Sequence, residues 1–271
     1  MRMTIAVMMA VAVTAQAQTT VQYRSTAGVE YRSQQDTGSV ARAQAALNAD
    51  PQAIQRYIAL GVAQSGIRQF REAIETFTRG LARDPDNAML LRWRGHRYLS
   101  TRQFDLAAAD LERAAKLDST IYGIWYHWGI VRFARGDFNG AAQAFVKALP
   151  IAPNGGELNG SVDWLWMSLS RAGRAAEAKA LLDRKPDTTS VKNAYSQRIA
   201  MYRGLTPPAQ LVTPADTADV QASTLSFGLG NWYLIQGETT KARAAFEGSI
   251  AAGGWPGFGF ILSEIELKRL R

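Results

Sequence analysis

The sequence predicts an all-α fold: a superhelical solenoid of helix-turn-helix units, followed by a degenerate, irregular helical insertion and a C-terminal capping helix. Three observations predict it. Gly61, Gly95 and Gly129 stand 34 residues apart, Ala73, Ala107 and Ala141 repeat that interval, and Pro85 and Pro153 close two of the units. A helix-interior glycine costs about 1 kcal/mol relative to alanine. A chain that places one at a fixed phase in every unit is giving up helix propensity for the close approach of a neighbouring helix.

The N-terminal stretch MRMTIAVMMAVAVTAQA, residues 1–17, has Arg2, a ten-residue apolar run from Thr4 to Val13 and the small-residue context Ala15-Gln16-Ala17. It reads as a secretory signal cleaved near Ala17. Ten apolar residues fall well short of the roughly 20 that cross a hydrocarbon core. The expected product is therefore soluble after cleavage, periplasmic or secreted, with no transmembrane segment. The chain has no Cys, which excludes disulfides, thiol nucleophiles and thiolate metal sites even in an oxidising compartment. With 47% apolar residues and seven Trp, packing alone supplies a sizeable core. Residues 18–38 are polar, carry VQYRS and VEYRS eight apart, and read as a flexible leader.

Residues 39–158 read as the regular array, a half unit plus three full ones. VARAQAALNADP, from Val40 to Pro51, supplies the second helix of a truncated unit, and the full units run 54–87, 88–121 and 122–155. The glycine at the eighth position lies where the first helix of each unit crosses the second. The alanine twelve residues on is its small partner, and Phe77, Leu111 and Phe145 fill the next layer of that face. Phe70, Phe104 and Phe138 plug the turn between helices. Proline ends the second helix because it cannot continue one, and Ser119 stands in its place in the middle unit.

After Pro153 the regularity weakens, with Asn154, Gly155 and Gly156 opening a loop. Residues 159–222 form a degenerate unit, with Trp166 where the glycine belongs, and an irregular spacer holding one helix that Gly204 ends and a Pro-rich connection. Residues 223–271 restore the pattern with Gly230, Tyr233, Gly237, Ala242 and Phe246, and end in an amphipathic cap, GFILSEIELKRLR.

These signatures resemble the tetratricopeptide (TPR) pattern, W-x2-L-G-x2-Y, then A-x3-F, then P, at its 34-residue period. Over residues 45–271, the order of regular repeats, Trp-containing degenerate pair, spacer helix and restored repeat resembles the periplasmic NlpI-like adaptor family. The segments that carry this are WLWMSLSRAGRAAEAKALL and FGLGNWYLIQGETTKARAAFEGSIAAGG followed by FGFILSEIELKRL. The resemblance implies a non-enzymatic adaptor of the bacterial cell envelope that forms homodimers and docks peptidoglycan hydrolases or an envelope protease. The missing lipobox Cys departs from that family.

Chemistry-bearing motifs are scarce. His96 and His127 lie at different phases of adjacent units, without the spacing of a metal site. Gly228 and Gly230 in FGLGNW lack the preceding strand of a dinucleotide loop. Asp105, Asp110 and Asp137 fall at surface or turn phases. No catalytic residue, metal or cofactor is expected. The formal charge is +8, but the Arg are scattered without aromatic interleaving, so nucleic acid is not an expected partner.

In such a superhelix the first helices line the concave side, with positions 2, 5, 9 and 12 facing inward. These positions nominate Arg92, His96, Leu99, Tyr126, Ile130 and Phe133 as an apolar and aromatic partner-binding surface. Trp125 and Trp128 fall on the buried stripe. The carboxylate clamp of chaperone-binding TPR domains uses Lys and Asn at positions 5 and 9 of the first repeat, and Ile58 and Val62 stand there instead. The expected function is a protein-protein interaction scaffold. The alternative is a structural or assembly component acting by self-association or by binding cell-wall polymer through its basic surface.

Overall fold

The computed structural model describes residues 19–184, 191–213, 216 and 219–271. The signal sequence and parts of the 187–222 spacer lie outside the described residues. Two short strands, β1 (Val21–Arg24) and β2 (Glu30–Arg32), precede thirteen helices among the described residues. The half unit is α1 (Ser39–Ala49). The three regular units are α2 (Ile54–Gly66) with α3 (Phe70–Leu81), α4 (Ala88–Ser100) with α5 (Phe104–Leu117), and α6 (Tyr122–Arg135) with α7 (Phe138–Ala148). Next come α8 (Gly155–Arg171), α9 (Ala175–Asp183) and the lone α10 (Ala194–Tyr202), then α11 (Asp219–Ile235), α12 (Thr239–Ala251) and the cap α13 (Phe258–Arg269). From α1 to α9 each helix packs on the next, as a solenoid of helix pairs requires.

The periodic glycines mark the crossings, and their partner is the aromatic layer itself. A Cβ on Gly61 would fall 2.3 Å from Phe77, on Gly129 2.5 Å from Phe145, and on Gly230 2.4 Å from Phe246. In the middle unit Leu111 lies 2.9 Å from the Cβ position of Gly95. Ala73, Ala107 and Ala141 are fully buried beside them. Where Trp166 replaces the glycine, its indole faces Tyr202 of α10 instead, ring centroids 3.7 Å apart. Asn154 caps α8 by accepting from Glu157 N, so 154–158 is the first turn of a helix and not the loop that Gly155-Gly156 suggests.

The turn between paired helices needs a left-handed residue. Gly136, Gly173 and Gly237 fill that position at φ of 83°, 75° and 79°, but Arg68 and Arg102 adopt it in the first two units, at 61° and 63°. For a non-glycine residue this conformation is unfavourable and marks a position held by its surroundings. Both guanidiniums reach the far end of the chain: Arg68 meets Asp219 at 2.8 Å, and Arg102 meets Glu264 at 3.0 Å.

Those contacts close the solenoid on itself. The helix α10 packs on α8 and α11, α11 packs on α8, and α13 packs on α6, so the last unit lies within the curve of the first ones. Residues 18–38, read as a flexible leader, are corrected here. VQYRS and VEYRS pair as an antiparallel hairpin with Tyr23 opposite Tyr31. The buried Gln22 side chain accepts from Arg71 N and donates to Glu72, tying the hairpin to α3. On its other side Tyr23 donates to Glu264 Oε1 at 2.7 Å, and Tyr31 stacks on Trp255, which also packs on Phe70. A two-stranded ribbon is marginal alone; here the first repeat and the C-terminal residues Trp255 and Glu264 cover it.

Candidate functional site

Closure decides what becomes of the inward-facing residues. Leu99, Ile130 and Phe133 are excluded from solvent. Phe133 meets Trp164 of α8 at 5.4 Å and Phe227 of α11 at 6.3 Å. The position rule gives their direction correctly, but the chain's own C-terminal helices occupy the space. These three are core residues, a correction to the sequence reading. Trp125 is buried, while Trp128 is half-buried and open to the outer face.

Arg92, His96 and Tyr126 do converge on open space. They line a cavity of about 520 Å³ between α4, α6, the N-terminal ends of α8 and α10, and α13. The rings of His96 and His127 stack with centroids 3.9 Å apart, and Phe258 lies 5.6 Å from the first and 5.8 Å from the second. His127 Nδ1 donates to the Gly123 carbonyl, which fixes that proton and leaves Nε2 as an acceptor. Burial, with the Arg97 and Arg92 charges adding to it, holds both imidazoles well below their ordinary pKa, so they are neutral. Trp164 Nε1 donates to Tyr126 Oη at 3.1 Å, and that oxygen lies 3.0 Å from Tyr195 Oη. Burial raises the Tyr126 phenol well above its ordinary range and raises that of Tyr195 as well, so they act as neutral hydrogen-bonding groups. Arg92 lies over Trp93, 3.8 Å from its centroid, and burial pushes it down to about 10.

Glu157 supplies a carboxylate to the cavity wall, and the cap residues Asn154 and Asn193 frame it. Sequence reasoning missed Glu157, Asn193, Tyr195 and Phe258 because they come from helices remote in sequence. The two helix caps were findable, since Asn193 and Ser196 form a reciprocal capping pair. Charged, neutral-aromatic and amide groups around open space suit ligand binding. Among the described residues no group of three metal-ligating side chains occurs, and no helix is long and apolar enough to cross a membrane.

A second feature lies on the outer face. An apolar groove of about 520 Å³ runs between α7, α8 and α9, floored by Ala142, Leu165, Leu169 and Leu181 and rimmed by Lys147, Arg174 and Arg184. Val146 on its edge is 57% exposed and extends the apolar surface of the groove. The groove shares Gln143 and Lys147 with a neighbouring hollow, where Trp125 and Trp128 stack at 5.6 Å. Lys147 lies over Trp125 and Arg132 over Trp128, 4.1 and 4.8 Å from the ring centroids.

A family profile for the tetratricopeptide repeat matches residues 58–96 and 94–156. The chain is 29% identical over 122 residues to the heat-shock protein cognate co-chaperone sgt12 of Aspergillus fumigatus, covering 44% of this chain and 36% of that protein. It is 28% identical over 184 residues to RNA polymerase II-associated protein 3 of Rattus norvegicus, covering 68% of this chain and 25% of that one. The chain thus spans about a third or less of the relatives' lengths. Among solved structures, Pseudomonas aeruginosa pilF superposes with a TM-score of 0.51 at 17% identity, over 78% of this chain and 84% of that one. YrrB, described as a TPR protein with an unusual peptide-binding site, superposes with a TM-score of 0.50 at 14% identity, over 79% of this chain and 93% of that one. Residues 58–156 match the tetratricopeptide repeat, and the fold built around them is a superhelical solenoid of TPR type.

Proposed function

We propose that the protein is a non-enzymatic protein-protein interaction scaffold of the bacterial cell envelope that docks partners on its outer face. The single observation that carries the reading is the groove between α7, α8 and α9, an open apolar floor within a charged rim of Lys147, Arg184 and the Arg174–Glu177 ion pair. That arrangement, an apolar centre with polar edges, is the anatomy of a protein docking site. The C-terminal helices cover much of the concave side on which TPR arrays otherwise present their first helices, leaving only a small cavity there. The N-terminal signal-like sequence supports the envelope assignment, and the likeness to NlpI-like adaptors suggests peptidoglycan hydrolases or an envelope protease as partners, with self-pairing of the scaffold.

The test is photo-crosslinking from position 146 in the native envelope, with mass spectrometry of the captured proteins, beside a Val146→Asp capture assay. The expected result is a defined partner set that survives 0.5 M salt and falls at least tenfold in Val146→Asp, because apolar docking is little screened whereas surface charge pairing is. Capture that vanishes at high salt and ignores Val146→Asp would favour cell-wall polymer binding through the basic surface and overturn this reading.

A further inference from the structure

The concave cavity holds two charges of opposite sign, Arg92 and Glu157, which act on each other through space without closing an ion pair. Among the described residues Arg92 closes no ion pair, and its Nη1 is out of solvent without an acceptor. The guanidinium cannot turn away, since its face lies on Trp93 and its Nε and Nη2 crowd the Cα of Gly123, 2.2 and 2.5 Å from where a Cβ would stand. Glu157 also lines the cavity and closes no ion pair among the described residues. Its main chain binds Asn154 through the amide and Tyr122 through the carbonyl, and its carboxylate faces the Tyr122 hydroxyl and acts on Arg92. A buried guanidinium without a partner is costly, and a fold retains one where a ligand completes it.

The geometry points to a binding site for a small zwitterion, a free α-amino acid with an apolar or aromatic side chain, its carboxylate on Arg92, its ammonium toward Glu157 and its side chain against Phe258. Charge selects among ligand classes. The two imidazoles are neutral, so the charged groups that line the cavity are one positive and one negative, with the buried Arg97 charge behind the histidines. A phosphate would add two negative charges beside Glu157, a simple cation would leave Arg92 bare, and a neutral apolar ligand would desolvate both groups without pairing either. The volume of about 520 Å³ lies within the range of roughly 300–1,000 Å³ for small-molecule sites. The site shares no lining residue with the outer groove, so it stands independently of partner docking there.

Calorimetry and thermal shift on the full chain, with the twenty common amino acids as probes, test the assignment. An aromatic or branched apolar amino acid is expected to bind and raise the melting temperature, and its N-acetyl and carboxamide derivatives to bind at least tenfold more weakly. Arg92→Gln is expected to abolish the response. Glu157→Gln, at a half-exposed first-turn position that the fold does not depend on, is expected to fold and to bind the free and N-acetyl forms equally. No stabilisation by any of the twenty, N-acetyl binding as tight as the free form in the unmodified protein, or undiminished discrimination in Glu157→Gln would each overturn it.

Discussion

Asp163→Asn is expected to destabilise the protein by about 3–5 kcal/mol, the usual cost of leaving one member of a buried pair alone. Asp163 and Arg198 are both fully excluded from solvent, with Arg198 Nη2 3.0 Å from Asp163 Oδ2. Arg198 also donates to the Thr224 carbonyl and to Tyr202 Oη, and its side chain fills the space that a Cβ on Gly228 would need. Burial pushes the Asp163 carboxyl up, to about 7, against the pull of the guanidinium. The two partners are therefore unequal. Asp163 can take up a proton when Arg198 is removed, whereas a guanidinium cannot shed one. Arg198→Met is expected to cost less than Asp163→Asn, and the double variant to recover most of the larger loss. Urea denaturation followed by far-ultraviolet circular dichroism gives all three values. Equal losses for the two single variants would mean that uncompensated charge does not set the cost.

The second large effect is at a helix crossing. Gly129→Ala is expected to cost about 1–3 kcal/mol, because its methyl would stand 2.5 Å from the Phe145 ring in a core with no room to yield. Gly66→Ala is the matched control. It lies at the end of α2 with nothing within 4 Å of its Cβ position, so helix propensity and the loss of unfolded-state freedom favour alanine by up to about 1 kcal/mol. Opposite shifts in melting temperature are expected. The same direction at both positions would show that these glycines serve backbone conformation and not close packing.

The repeat phase is legible in the sequence because it is local: each unit needs its glycine, alanine and aromatic at fixed offsets. The glycine-to-phenylalanine spacing of Gly61 and Phe77 recurs in Gly129 and Phe145 and in Gly230 and Phe246. What escaped is set by contacts across the whole chain. VQYRS shows too few alternating residues to announce a strand, and its order comes from Trp255 and Phe70. The inward direction of Phe133 follows from its position in the unit, but its neighbours Trp164 and Phe227 belong to helices that only closure brings there. Full apolarity at Leu99, Ile130 and Phe133 was itself a sign of burial, since single-chain grooves seldom leave such a run in water. Asp163 between Val162 and Trp164 was a similar sign, a carboxylate in an apolar helix that required a partner.

Closure of the solenoid is the claim on which the filled groove, the cavity and the outer docking face all depend. A double-mutant cycle on Arg102 and Glu264 tests it most directly, because these residues are 162 positions apart and interact only if the C-terminal cap folds back onto the first repeats. Both side chains are largely buried, and the account predicts a coupling free energy on the order of 1–3 kcal/mol between Arg102→Ala and Glu264→Ala. Strictly additive effects of the two substitutions would contradict a closed structure.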